Sequence, residues 1–210
     1  MTELATPRAG GPPPPRSVHT ADAALMRAVA AGDRGAFERV YEAHQPRVFR
    51  LAYSVLLDRD EAREAVQEAF LKLHEAAGRW EPHAALGTWL YRVVLNHCLG
   101  LKRRILRFGR GAPPAGAGPS PELAAVLGEA VEIVERSLGA LPARQRAMLT
   151  LRLDGEMDPG EIAPLVGLTP NATRVALHRA LERLRADLAA GGIDAPPERE
   201  DAPLEALEET

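Results

Sequence analysis

Residues 158–185 read DPGEIAPLVGLTPNATRVALHRALERLR, and this stretch decides the fold class of the chain. The spacing of Asp158 and Glu161 is typical of a capping box, and a short apolar run follows it up to Gly167. Thr169, with a proline after it, then predicts the start of a longer helix whose apolar residues recur every three or four positions. A short helix, a glycine turn and a longer basic helix together predict a helix-turn-helix.

The N-terminal part of the longer helix carries side chains suited to reading DNA. We expect Asn171, Thr173 and Arg174 to reach base edges in the major groove. Arg179 is better suited to a phosphate contact, and His178 remains on the surface of the same helix. The competing interpretation is a small helical bundle that merely has a basic surface.

The rest of the chain repeats the helical period. Aromatic residues make up only 4% of the 210 residues, and apolar residues recur at helical intervals, which favours helices packed on helices. Three further apolar stripes fall within 36–55, 62–73 and 89–105. Asp33 is the predicted N-cap of the first stripe, and Gly78 is the predicted stop of the second. The predicted fold class is therefore all-α.

Composition divides the chain into five parts. Residues 1–20 and 109–121 are rich in Pro and Gly and contain little apolar material, so they predict a disordered leader and a flexible linker. Residues 191–210 are acidic and predict a solvated, disordered tail. The two helical domains are therefore expected at 21–108 and 122–190.

The formal net charge is only -3, but the charges are unevenly distributed. No acidic residue lies between Pro82 and Pro121, and a stretch kept free of carboxylates is suited to phosphate contact. The basic residues of this window include Arg92, Lys102, Arg103, Arg104 and Arg107. Trp80, Trp89 and Tyr91 flank it and offer stacking surfaces for unpaired bases, although the core is the better assignment for Trp89.

Several function classes are disfavoured by the same residues. Cys98 is the only cysteine, so the chain contains no disulfide or CxxC pair, as expected in a reducing cytoplasm. The histidines lack carboxylate or cysteine neighbours at ligand or triad spacing, and no glycine-rich phosphate loop follows a strand. The start of the chain lacks a signal-peptide core, and no apolar run is long enough to span a membrane. We expect a cytoplasmic protein that is not an enzyme, with no metal, cofactor, small-molecule substrate or stable membrane insertion.

Two sets of motifs resemble the extracytoplasmic-function (ECF, group 4) sigma factors of the sigma-70 family. Residues 60–74, DEAREAVQEAFLKLH, and 87–96, GTWLYRVVLN, resemble region 2 of that family. Residues 141–146, LPARQR, with the closing 179–185, RALERLR, resemble region 4. The resemblance covers most of the chain outside the leader, linker and tail.

The resemblance implies three contact surfaces. Core RNA polymerase would be bound by Glu64, Gln67, Glu68 and Lys72. Promoter DNA at the melted minus-10 element would be held by Trp80, His83, Arg92, Asn96, Lys102, Arg103, Arg104 and Arg107, with 79–87 as the loop that captures a flipped base. The duplex minus-35 element would be read by Asn171, Thr173, Arg174, His178 and Arg179. An anti-sigma partner is also implied.

Two alternatives remain open at this point. An ordinary helix-turn-helix regulator would bind duplex DNA without polymerase, but it leaves the motifs between residues 60 and 96 unexplained. A helical adaptor would use its basic surfaces for acidic protein partners. Specific transcription by core polymerase in the presence of the chain distinguishes both alternatives from a sigma factor.

Overall fold

A computed structural model describes residues 16–81, 85–108 and 133–193, and within these ranges the chain forms helices and no strand. The predicted all-α fold is confirmed. The helices are α1 (Arg16–Ala30), α2 (Arg34–Leu56), α3 (Arg59–Ala76), α4 (Leu86–Phe108), α5 (described over 133–139), α6 (Ala143–Leu153), α7 (Pro159–Val166) and α8 (Pro170–Ala190), with a 3-10 turn at Ala77–Arg79. The predicted linker, nearly all of the acidic tail and the leader up to residue 15 lie outside the described residues.

The helix starts and stops follow the local capping chemistry predicted from the sequence. The side chains of Asp33, Asp158 and Thr169 each accept a hydrogen bond from the backbone N–H three residues later. Glu161 completes the capping box by accepting the backbone N–H of Asp158 at 2.9 Å. Gly167 ends α7 in the left-handed conformation, at φ 69°.

Two predicted boundaries are wrong. The leader was expected to run to residue 20, but α1 begins at Arg16. Helix α1 buries Met26 and Val29, a stripe too short to stand out beside the proline run that precedes it. Gly78 does not stop α3, because the helix ends at Ala76 and the chain continues as a 3-10 turn.

The first helical block is built on α2, α3 and α4, with α1 packed on α2. The rings of Phe37 on α2 and Phe70 on α3 pack edge to face, with their centroids 6.3 Å apart. Leu73, Leu90 and Val94 are fully buried beside them. The buried side of α4 is therefore fixed by α2 and α3, which leaves its other side for contacts outside the block.

The second block packs α6 and α7 against α8. Ile162, Leu165 and Leu177 form part of its core. A Cβ added at Gly191 would lie 2.6 Å from Cγ2 of Ile133, so the end of α8 lies close to α5 and a side chain at position 191 would force Ile133 to shift.

The two blocks share one continuous apolar core where α6 packs on α2, and a buried arginine lies at this junction. Arg146 on α6 is 5% exposed, and its guanidinium donates to the backbone oxygens of Ser54, Val55 and Leu141. The last carbonyls of a helix have no partner within it, and here Arg146 supplies one for two carbonyls at the end of α2. Beside it, Arg50 donates two hydrogen bonds of 2.7 Å to the carboxylate of Asp154.

The environment of Cys98 leads to a testable prediction. Cys98 is fully buried on α4, and burial raises the pKa of its thiol from 9.0 to about 12. Because only the thiolate reacts, we expect the native protein to resist Ellman's reagent at pH 8 and to react fully after unfolding in guanidinium. The unfolded chain ionises at the lower pKa, so this contribution to stability is complete below about pH 9 and is lost as the pH rises towards 12. Rapid labelling of the folded protein would contradict this burial.

Candidate nucleic-acid and protein interfaces

One side of α4 forms a basic groove, lined by Asn96, His97, Gly100, Arg103, Arg104 and Arg107. These positions recur at helical spacing, and an added Cβ at Gly100 would meet nothing within 4 Å, so the groove is open there. Asn96 and the three arginines are groove residues that the sequence analysis had assigned to DNA. The groove is well suited to an anionic strand.

Arg92 lies one turn before Asn96 and is half-buried. Its Nε is buried without a hydrogen-bond partner among the described residues. This atom is enclosed by the protein and cannot itself reach a strand, so the DNA contact of Arg92 stays a prediction.

Lys102 departs from the set assigned to minus-10 DNA. It is half-buried on another side of α4, where burial and the nearby Arg146 lower the pKa of its ammonium group while Asp58 opposes the shift. Successive helical residues point about 100° apart, so the run Lys102-Arg103-Arg104 cannot present all three cations to one groove. Lys102 therefore lies outside the groove, near Arg146 and Asp58, and its DNA contact stays a prediction.

The aromatic residues near α4 also differ in how far they are exposed. Trp80 follows the 3-10 turn and is partly buried against the core, and Trp89 also packs on the core, as expected. Tyr91 is only 7% exposed, so the suggestion that it stacks on a base is wrong. His83 lies outside the described residues.

The outer face of α8 presents Asn171, Arg174 and His178. Asn171 and His178 are exposed, and Arg174 is half-buried. Nε2 of His178 lies 3.3 Å from Oε1 of Glu182, one turn further along the same face. Arg179 is exposed at the side of this face. The helix therefore offers an amide and a guanidinium near its N-terminus, as reading of base edges requires.

Thr173 is the exception on α8. It is fully buried, and its hydroxyl donates to the backbone oxygen of Thr169 at 3.0 Å. Residues 173, 177 and 180 share the core-facing side at helical spacing, and all three are buried. The predicted base contact of Thr173 is wrong because its methyl group contributes to the core instead.

The outer face of α3 brings together the four residues assigned to polymerase. Glu64 and Gln67 are exposed, and Nζ of Lys72 pairs with Oε1 of Glu68 at 3.1 Å. Leu71, which was not among the predicted contacts, lies among them with 61% of its surface exposed. The helical period could have found Leu71, because Phe70 and Leu73 face the core and Leu71 therefore cannot. Leu71 therefore adds an apolar side chain to the polar face that carries the four assigned residues.

Within residues 16–81, 85–108 and 133–193, no group of three or more His, Cys, Asp or Glu side chains is arranged to hold a metal ion. No helix within these ranges is long and apolar enough to cross a membrane.

Family models match both blocks. Residues 40–107 match the model for Sigma-70 region 2, and residues 132–184 match the model for Sigma-70, region 4. The first match contains α3 and nearly all of α4, and the second contains the helix-turn-helix.

Relatives match over most of the chain. The chain is 32% identical over 164 residues to the ECF RNA polymerase sigma factor SigM of Mycobacterium tuberculosis, covering 78% of this chain and 82% of SigM. It is 32% identical over 185 residues to SigD of the same species, covering 81% and 85%. SigW of Bacillus subtilis is 24% identical over 78% of this chain and 94% of SigW.

Two solved structures have a similar fold. CnrH, solved in complex with the cytosolic domain of CnrY, has a TM-score of 0.60 and 26% identity over 81% of this chain and 98% of CnrH. The sigma factor RpoE of Bartonella quintana, solved with the anti-sigma factor NepR, has a TM-score of 0.61 over 73% and 96%, and its 20% identity supports the fold alone.

Proposed function

The chain belongs to the ECF RNA polymerase sigma factors of the sigma-70 family, and from this premise we propose how its surfaces divide the work of initiation. It would bind core polymerase through α3, hold the melted minus-10 strand along α4 and read the minus-35 duplex with α8. The observation that carries the proposal is that each of these helices buries one side and exposes a side with the matching chemistry. Polymerase would supply the catalysis, and the chain itself would act without a cofactor.

The α4 groove is proposed to stabilise melted DNA. Arg103, Arg104 and Arg107 would contact phosphates of one strand, and Asn96 offers both donors and an acceptor to an unstacked base. Trapping the open strand favours melting because a duplex cannot present its bases in this way. Trp80 retains an accessible part at the end of the 3-10 turn, where it would stack on such a base.

The helix-turn-helix is proposed to read duplex DNA. Asn171 and Arg174 lie in the first turns of α8, which enters the major groove in this motif, and Arg179 would contact the backbone. Each surface alone is expected to bind weakly. Both domains are carried on one polymerase, so one contact raises the effective concentration of the other.

Core polymerase docking is testable at Leu71. We expect Leu71→Glu to weaken binding to core polymerase at least about tenfold, because a desolvated apolar anchor at the centre of an interface is typically worth 2 kcal/mol or more. Affinity is measured by fluorescence anisotropy of the labelled full chain titrated with core enzyme. The side chain is exposed, so folding should not change.

The matched control is Leu153→Glu on α6, since Leu153 is 65% exposed but lies outside the α3 face. This variant should bind core polymerase as the unmodified chain does. Equal affinities of the two variants would remove α3 from the docking surface.

A protein inhibitor is also proposed. The similar structures of CnrH and RpoE are complexes with CnrY and with the anti-sigma factor NepR, respectively. By the same relationship this chain would be held inactive by an anti-sigma factor, in the cytoplasm where DNA and polymerase are found. The ordinary helix-turn-helix regulator is not favoured, because the region 2 match covers the residues that this alternative leaves unexplained.

A further inference from the structure

Helix α1 makes a polar contact with the start of the DNA-binding helix. Oδ2 of Asp22 on α1 accepts a hydrogen bond from the backbone N–H of Leu86, at a distance of 2.8 Å. Leu86 is the first residue of α4 and is fully buried. The contact joins residues 64 positions apart, so it is tertiary rather than a local turn.

The first N–H groups of a helix have no partner inside it, and a buried one without a partner is costly. Asp22 supplies an acceptor for the first N–H of α4, and its negative charge also favours the positive end of the helix dipole. The backbone N–H of Trp89 is already satisfied by the oxygen of Ala85. The carboxylate therefore acts as an N-cap that is delivered from another helix.

Both helices that carry this hydrogen bond are held in place by their neighbours. Helix α1 is anchored by the buried Met26 and Val29, and it also packs against the 3-10 turn that precedes α4. A Cβ added at Gly87 would lie 3.4 Å from Cε1 of His44, so the first turn of α4 is closely packed on α2 as well. The start of α4 is thus held between α1 and α2.

We infer that Asp22 is a positioning residue for the minus-10 strand, which fixes the first turn of α4 and thereby the direction of the basic groove. This inference rests on the proposed function, because the groove of Asn96, Arg103, Arg104 and Arg107 must engage DNA for the position of α4 to matter. Asp22 itself touches no DNA. Its loss should change strand binding without changing the contacts of α3 or α8.

The test uses holoenzyme assembled from core polymerase and the full chain. The probe is a fluorescein-labelled single-stranded oligonucleotide covering the minus-10 segment of a promoter mapped with the unmodified holoenzyme. We expect Asp22→Ala to weaken strand binding about fivefold, because the first turn of α4 loses its acceptor and no longer holds the groove in one position. Asp22→Asn retains an acceptor oxygen in the same place and should restore most of the affinity.

Asp33→Ala is the matched control, because Asp33 caps α2 through the N–H of Ala36 in the same way. Asp33→Ala should lower the melting temperature about as much as Asp22→Ala does, but it should leave strand binding unchanged. Affinity for core polymerase and for minus-35 duplex should be unchanged in all three variants. Asp22→Gln, whose amide is displaced by one methylene, provides a second disruptive change and should behave like Asp22→Ala.

Equal losses of strand binding in the Asp22→Ala and Asp33→Ala variants would overturn the inference, because both would then act only through stability. Equal losses for Asp22→Ala and Asp22→Asn would overturn the capping role. An unmodified holoenzyme that yields no mapped promoter would instead overturn the proposed function itself, and the inference with it.

Discussion

Replacing Arg103 and Arg104 together by alanine is expected to reduce promoter-dependent transcription about 100-fold. Both side chains are exposed in the α4 groove. No acidic residue lies within residues 85–108, which contain the whole of α4. A charge-assisted hydrogen bond is worth roughly 1.5 kcal/mol, and every 1.4 kcal/mol or so is a factor of ten, so two lost contacts give this magnitude. Initial transcript is measured on a linear template at several salt concentrations.

The salt series adds a second readout to this experiment. Loss of two phosphate contacts should reduce the slope of a plot of log holoenzyme–promoter affinity against log salt concentration by roughly one to two. Arg34→Ala with Arg39→Ala is the control, since both arginines are exposed near the start of α2. A salt slope that stays constant while activity falls would mean that the arginines do not contact phosphates.

Arg146→Ala is expected to lower the free energy of unfolding by about 3 kcal/mol. The substitution leaves buried backbone carbonyl oxygens without a donor and removes the main polar link between the blocks. The guanidinium donates to three carbonyl oxygens, two of them at the end of α2. Burial lowers the pKa of the guanidinium, and its only described partners are neutral carbonyls. The variant should therefore lose stability and also cooperativity.

The two tryptophans give this experiment its readout. Trp80 and Trp89 both lie in the first block, so urea unfolding followed by tryptophan fluorescence reports that block, while circular dichroism reports all helices. The two transitions should coincide in the unmodified chain and separate in Arg146→Ala. Arg144→Ala, at an exposed position on the same helix, should leave both transitions unchanged. Coincident transitions at an unchanged midpoint in the Arg146 variant would show that the blocks are coupled by other contacts.

Local chemistry explains which features could be predicted from the sequence. Helix caps and stops depend on residues within a few positions of each other, so they can be predicted from the sequence without the tertiary structure. This is the case for the caps at Asp33, Asp158 and Thr169 and for the stop at Gly167. Three of the family motifs, 60–74, 87–96 and 179–185, likewise lie within single helices, while 141–146 begins two residues before α6. The helical period also accounts for the core of both blocks.

The errors arise where the direction of a side chain decides its role. Thr173 has a suitable residue type for DNA contact, but the rotation of α8 turns it into the core. Leu71 was not predicted as a contact because its residue type is typical of the core. Residue type and charge alone do not give these directions, whereas the helical period does.

The long-range contacts had no sequence signal at all. Nη2 of Arg146 donates to the oxygen of Val55, 91 residues away, and every residue type carries such an oxygen. The bond from Leu86 to Asp22 is similar, because its donor is a backbone N–H. Side-chain pairs of opposite charge can be guessed from a sequence, whereas backbone partners cannot.

We conclude that this chain directs core RNA polymerase to promoters. Multi-round transcription with purified core polymerase, the full chain and a library of promoter fragments from its own genome, with the start sites mapped, tests this conclusion. We predict discrete starts that require the chain and disappear in the Arg103→Ala/Arg104→Ala variant. Tight binding to duplex operators without any defined start would contradict the claim and identify an ordinary helix-turn-helix regulator.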